Sequence, residues 1–265
     1  MLPHLSQSNW VIADCRFSLA DTASGLEAYQ HSHIPGAIYL HLEDDLSSEP
    51  ITDQGRHPLP SVERLCALFS RIGVDRDKQV VVYDDLNGAY ASRLWWMLRY
   101  LGHKAVAVLD GGWQNWVAGG LPTTPLVAVN EPTEFEGVPE QGWLVTADEV
   151  PSAVKLIDSR APARYRGEFE PIDIAAGHIP GAVNYFYQDN WSEQKLYLPA
   201  DRLREQFVKL LDGTDPDDAV FYCGSGVTAC VNLLALERAG LGHGRAYIGS
   251  WSDWISDPSR PVAVG

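Results

Sequence analysis

No stretch of the 265-residue chain approaches the ~18 consecutive apolar residues that a membrane-spanning helix requires. The N-terminus, Met1-Leu2-Pro3-His4-Leu5, has neither the basic start nor the apolar core of a secretory signal, and together these absences point to the cytoplasm. Basic residues are scarce too, with 20 Lys and Arg against 35 Asp and Glu, a net charge of −15 at neutral pH. With no basic run to offset it, that field repels phosphate backbones and anionic membranes, so neither nucleic acid nor membrane is expected as a partner. The four cysteines, Cys15, Cys66, Cys223 and Cys230, lack metal-ligand spacing, and a chain of this size in a reducing compartment does not depend on disulfides. They read as free thiols.

What is present is an ordinary globular composition, 45% hydrophobic and 21% charged, in a chain long enough for one large domain or two smaller ones. An internal repeat favours two. Asp14-Cys15-Arg16 returns as Asp158-Ser159-Arg160, and His33-Ile34-Pro35-Gly36-Ala37 as His178-Ile179-Pro180-Gly181-Ala182. Val80-Val81-Val82-Tyr83-Asp84 matches Ala219-Val220-Phe221-Tyr222-Cys223, and Gly112-Trp113 with Trp116 matches Ser250-Trp251 with Trp254. Four matched elements in one order imply duplication, the drift in their spacing being what loop-length changes produce. The expected organisation is a domain over 1–122, a Pro-, Thr- and Glu-rich linker over 123–140, and a second domain over 141–265. Thr146-Ala147-Asp148-Glu149 has the pattern of a capping box.

Short β-branched runs alternate with helical stretches in each half. In the second, strands are expected near Lys155–Asp158, Ala182–Asn184, Ala219–Tyr222 and Arg245–Ile248, and helices near Ala200–Leu211 and Val227–Ala239. Near-continuous apolar strands interleaved with helices specify a mainly parallel sheet covered on both faces, so the fold class is α/β, twice over.

Between the strand Val220-Phe221-Tyr222 and the apolar-faced helix from Val227 lies the turn Cys223-Gly224-Ser225-Gly226, at the carboxyl edge of the sheet where open α/β folds carry their sites. Glycines at 224 and 226 allow consecutive N–H groups to converge on one atom, and the helix that follows adds its positive end. Both effects favour Cys223 as a thiolate or a persulfide. An isolated cysteine at a strand end is more often a small buried hydrophobe; the strand-Cys-Gly-x-Gly-helix arrangement argues for a reactive thiol here. Cys230, seven residues on inside the helix, reads as core.

At these residues the chain resembles the rhodanese-type sulfurtransferases in their tandem two-domain form, over nearly its whole length. The resemblance rests on both Asp-x-Arg strand ends, both His-Ile-Pro-Gly-Ala segments, Asp110-Gly111-Gly112-Trp113 and the Cys223 loop. It implies a silent first domain, in agreement with Asp84 standing at the place of Cys223, and a catalytic second domain. Gly224-Ser225 replaces the Arg-Lys pair of the thiosulfate branch, and the string Cys223-Gly224-Ser225-Gly226-Val227-Thr228 looks like that of the 3-mercaptopyruvate sulfurtransferases. The resemblance further implies Ser225, His57 and Asp44 as a proton relay, Arg164 as the carboxylate-binding arginine, and Gly224, Gly226, Val227 and Thr228 as the rest of the donor site. It needs no metal or organic cofactor, and implies a small anionic sulfur donor with a thiol or thioredoxin-like protein as acceptor. Arg166 is expected to be exposed and salt-bridged, and His178 to fix a turn. One position departs: a second arginine is expected in Glu170-Pro171-Ile172-Asp173, where Ile172 stands.

Two rival readings make different demands on these residues. A cysteine-loop phosphatase needs Cys-x5-Arg, and the sixth residue after Cys223 is Ala229. A non-enzymatic persulfide carrier or regulatory binding module would keep Cys223 without needing Arg164 or Ser225.

Overall fold

The structure, a computed structural model, describes residues 1–5, 7–50 and 55–265. It divides into two compact units, one of Met1–Ser48 with Pro60–Glu140, the other of Glu49–Leu59 with Gln141–Gly265. The first contains β1 (Trp10–Asp14), α1 (Ser24–His31), β2 (Ala37–Tyr39), α2 (Val62–Arg71), β3 (Gln79–Tyr83), α3 (Ala91–Tyr100), β4 (Val106–Val108) and α4 (Gly112–Ala118). The second contains β5 (Lys155–Asp158), α5 (Pro162–Tyr165), β6 (Val183–Asn184), α6 (Ala200–Leu211), β7 (Ala219–Tyr222), α7 (Ala229–Arg238), β8 (Arg245–Ala246) and α8 (Ser250–Trp254). The strands run parallel in both sheets, in the orders β2-β1-β3-β4 and β6-β5-β7-β8. No helix among the described residues is long and apolar enough to cross a membrane.

The apolar character of the strands follows from burial on both faces. All four residues of β7 are buried; Val220 and Tyr222 join Leu156, Ile179, Trp251 and Trp254 in one core cluster, while Phe221 meets Phe207 of α6 edge-on. Leu203, Phe207 and Leu211 recur every fourth residue and form the buried stripe of α6. In the first unit Leu65, Leu68 and Phe69 give α2 its inner face, and the Ser61 side chain caps the helix by accepting from the Arg64 N–H.

The sequence repeat is a repeat of contacts. Arg16 folds back on Asp14, its Nη2 donating to Oδ2 at 2.7 Å and to the Ser32 carbonyl at 2.8 Å; Arg160 does the same with Asp158 and the Gly177 carbonyl, both at 2.6 Å. Arg16 lies over the Trp113 ring and Arg160 over Trp251, 4.4 and 4.5 Å from the ring centroids. His33 stacks on Tyr29 and His178 on Tyr165, so the histidines of the repeated His-Ile-Pro-Gly-Ala segments are packing residues.

Several sequence expectations are corrected in detail. The stretch after Val227 becomes helical at Ala229, and β8 ends at Ala246, two residues earlier than expected. The Thr146–Glu149 pair forms as expected, with Thr146 N–H and hydroxyl both donating to Glu149 at 2.8 Å, and it opens a turn and a short 3-10 helix (Val150–Ser152). The Pro- and Thr-rich segment before Gln141 lies against the first unit. Thr133 N–H donates to the Ser70 carbonyl, Glu140 N–H to that of Tyr100, and the Asn130 amide to that of Ile72, while Phe135 is buried edge-on to Phe69.

Candidate active site

Cys223 follows β7 directly and is 1% exposed. Burial pushes its thiol up, but the Thr228 hydroxyl and the backbone N–H groups of Ser225, Ala229 and Val227 all donate to the sulfur and outweigh it. The thiol ends below its ordinary value. Ser225 and Val227 precede α7 and Ala229 opens it, so turn and helix start together form a cradle suited to an anion. Cys230 is buried in α7, with its thiol 3.5 Å from the Gly226 carbonyl.

The two glycines of the turn serve different needs. Gly226 has φ of 73°, and a Cβ there would collide with the Ile248 carbonyl oxygen, so both backbone conformation and space require glycine. Gly224 has no left-handed backbone, contrary to the conformational role expected from the sequence. A Cβ on it would lie 3.1 Å from Nη2 of Arg56 and 3.5 Å from both terminal nitrogens of Arg164. Glycine at 224 is a matter of room, and two guanidinium heads sit over the loop.

The loop is tied down from α8. Ser250 accepts from the Cys223 N–H at 3.1 Å and donates to the Tyr247 carbonyl at 2.9 Å, while Trp251 and Ser252 N–H groups donate to the carbonyls of Cys223 and Gly224. Ser250 adopts φ of 57°, a left-handed conformation that costs a non-glycine residue about 1 kcal/mol or more. Sequence reasoning passed over Ser250; its repeat counterpart, Gly112, also has positive φ, and that pairing was the available signal.

Ser225 is 7% exposed and His57 3%, with His57 Nδ1 2.8 Å from Ser225 Oγ. A buried histidine against a hydroxyl can move a proton, so the structure brings these two expected residues together. Asp44 belongs to the first unit, where its carboxylate is 83% exposed and 3.3 Å from His41 Nδ1.

Arg164 is held from two sides. Its Nε donates to both Glu170 oxygens at 3.1 and 2.9 Å, and its Nη2 donates to Glu170 at 2.8 Å and to Asp173 at 2.9 Å. The other Asp173 oxygen accepts from Nη1 of Arg56, while the buried Arg56 Nε has no hydrogen-bond partner among the described residues. Glu170 also lies 3.4 Å from Arg160, so charges alternate from Asp158 through Arg160, Glu170, Arg164 and Asp173 to Arg56. Ile172 is 45% exposed. The second guanidinium beside Arg164 over Gly224 is that of Arg56. The sequence reading missed it, although it directly precedes His57. Arg166 makes the exposed pair expected of it, 2.7 Å from Glu168.

The second copy of this doubled parallel α/β sheet places a thiol, ringed by a hydroxyl and backbone N–H groups, beneath two guanidinium groups, an arrangement of the class suited to small anions. Residues 2–119 and 141–257 each match the rhodanese-like domain family. A probable 3-mercaptopyruvate sulfurtransferase of Pseudomonas aeruginosa is 45% identical over 98% of this chain and 94% of its own length. A putative thiosulfate sulfurtransferase of Mycobacterium tuberculosis is 40% identical over 96% and 90%. Among solved structures, the 3-mercaptopyruvate sulfurtransferase from Leishmania major superposes with a TM-score of 0.85 at 32% identity, over 97% of this chain and 72% of that one. The chain belongs to the rhodanese-like domain family, with two copies in tandem, and its relatives are sulfurtransferases.

Proposed function

We propose that the protein moves sulfane sulfur from 3-mercaptopyruvate through a Cys223 persulfide to a thiophilic acceptor. The observation that carries this reading is the lowered Cys223 thiol, ringed by the Thr228 hydroxyl and three backbone N–H groups. Such a cradle stabilises a thiolate before reaction and a persulfide anion after it.

In the first step the Cys223 thiolate attacks the donor's sulfur. A sulfur–sulfur bond forms, the donor's carbon–sulfur bond breaks, and its electron pair leaves on the enolate of pyruvate. Arg164 and Arg56 hold the donor's carboxylate and fix its sulfur against the nucleophile. Ser225 donates a proton to the departing enolate and is resupplied by His57. Asp44 has little influence on this relay, because a carboxylate so exposed is screened by solvent. In the second step an acceptor thiolate takes the outer sulfur and Cys223 leaves as a thiolate, the pattern of ping-pong kinetics. A low-molecular-weight thiol or a thioredoxin-like protein suits this step, and cyanide replaces it in an assay. All four cysteines are free, which suits a reducing compartment such as the cytoplasm.

Thiosulfate is the alternative donor, favoured by the name of the Mycobacterium tuberculosis relative; sulfite would then leave. Both readings are tested by incubating the protein and Cys223→Ser with each donor. Intact mass should show one added sulfur on the parent alone, and turnover with cyanide should fall by at least about 10³-fold in the variant. Sulfur transfer by Cys223→Ser at the parental rate would exclude the mechanism.

A further inference from the structure

We infer that Asp173 is a charge filter that sets donor specificity. The inference rests on the proposed sulfur transfer at Cys223 and concerns which anions reach it.

The two guanidinium groups above Gly224 are already matched by two carboxylates. Glu170 holds Arg164 through its Nε and Nη2, and Asp173 bridges the pair, one oxygen on Arg164 and the other on Arg56. Both acidic side chains are only 3% exposed, so water does little to screen them. Two positive and two negative groups leave the donor's seat near neutral, and the loop from Cys223 to Thr228 adds no basic residue. A donor with one negative charge gains the guanidinium hydrogen bonds against one repulsion from Asp173. A dianion such as thiosulfate doubles its repulsion from the carboxylates along with its attraction to the guanidinium groups, so a neutral seat gives it no net Coulomb gain against its larger cost of leaving water. Asp173 thus admits donors of the α-keto acid class and discriminates against dianions. A hydrogen-bonding site alone would not separate the two, since both present oxygens to the same arginines.

The test compares kcat/KM for 3-mercaptopyruvate and thiosulfate in the parent and in Asp173→Asn, with inhibition by pyruvate and sulfate as probes that need no turnover. The variant should raise the thiosulfate to mercaptopyruvate ratio by about tenfold or more, and tighten sulfate inhibition relative to pyruvate by a similar factor. Asp173→Glu, which keeps the charge, should keep the parental ratio. If Asp173→Asn weakens both donors and both inhibitors equally, the residue only positions Arg56 and Arg164 and the inference fails. If Asp173→Asn does not fold, Asp173→Ser is read by the same ratios. Failure of the underlying reading is separate, since a parent that acquires no sulfur on Cys223 from either donor removes the function, whatever the variants do.

Discussion

At the scale of single residues, the reactivity of Cys223 is a contest between burial and donation, and donation wins by a margin to which Thr228 contributes most among the donors. Thr228→Val keeps the shape and removes the hydroxyl. The depressed thiol is ionised above its own pKa and loses reactivity as pH falls through it, so removing a donor moves this acid limb to higher pH. Alkylation of Cys223 by iodoacetamide at a pH below both limbs should slow by about tenfold, and an unchanged profile would show that the backbone N–H groups suffice. Ser225→Ala should separate the donors. An enolate leaving group needs the proton, so kcat/KM for mercaptopyruvate should drop by about 10²-fold, while thiosulfate, whose sulfite departs without one, should be little affected. The place of Cys223 and Ser225 in a strand-to-helix turn was legible from one contiguous string, whereas Arg164 entered through the family resemblance alone. Arg56 was not legible, because nothing near it in sequence says that its head comes to lie over Gly224; only the packed structure does. Gly224 was misread for the same reason, its constraint being two distant side chains and not its own backbone.

At the scale of elements, the two copies of the strand-turn-helix unit solve one electrostatic problem in two ways. The turn after β7 presents N–H groups to a thiol; the turn after β3 presents them to its own carboxylate. Asp84 accepts from Leu86 and Gly88 N–H on one oxygen and from Tyr90 and Ala91 N–H on the other, at 2.7 to 2.9 Å. Burial pushes the Asp84 carboxyl above the usual carboxylate range, and these four donors counter it. The cradle of the first copy is filled from within. Asp84→Ala would leave three buried donors and one half-buried donor without their acceptor and should cost about 3 kcal/mol or more by urea unfolding followed through tryptophan fluorescence. A loss below about 1 kcal/mol would mean that the turn relaxes or takes in water. The substitution of Cys by Asp was readable from the repeat alignment, whereas the fourfold capture of its carboxylate was not. Likewise β5, β7 and α6 fall where the apolar patterns put them. The Thr146–Glu149 pair was legible as a capping pattern, which reports a turn's first hydrogen bonds and says nothing of the short 3-10 helix that follows.

At the scale of the whole molecule, the duplication was legible because conserved order survives drifting loop lengths, but one boundary was not. A division at residue 122 assigns Arg56 and His57 to the first domain, whereas the compact units place Glu49–Leu59 with the second. A chain excursion of this kind leaves no mark in composition. The second global property is charge. A protein of net charge −15 must bind an anionic donor against its own field, and its site answers with two guanidinium groups whose charge is internally matched by Glu170 and Asp173. Short-range hydrogen bonds therefore do the binding, while the long-range field opposes the approach. The screening length falls from about 30 Å at 10 mM salt to about 8 Å at 150 mM, longer than a hydrogen bond in either case. Added potassium chloride over this range should thus relieve the repulsion and leave the contacts in place, raising kcat/KM for mercaptopyruvate about twofold to fivefold with little change in kcat. The slope for thiosulfate should be steeper, because its charge is doubled. If kcat/KM instead falls with salt for both donors, Arg56 and Arg164 act as a net positive funnel despite their paired carboxylates, and the neutral seat derived from those ion pairs is wrong.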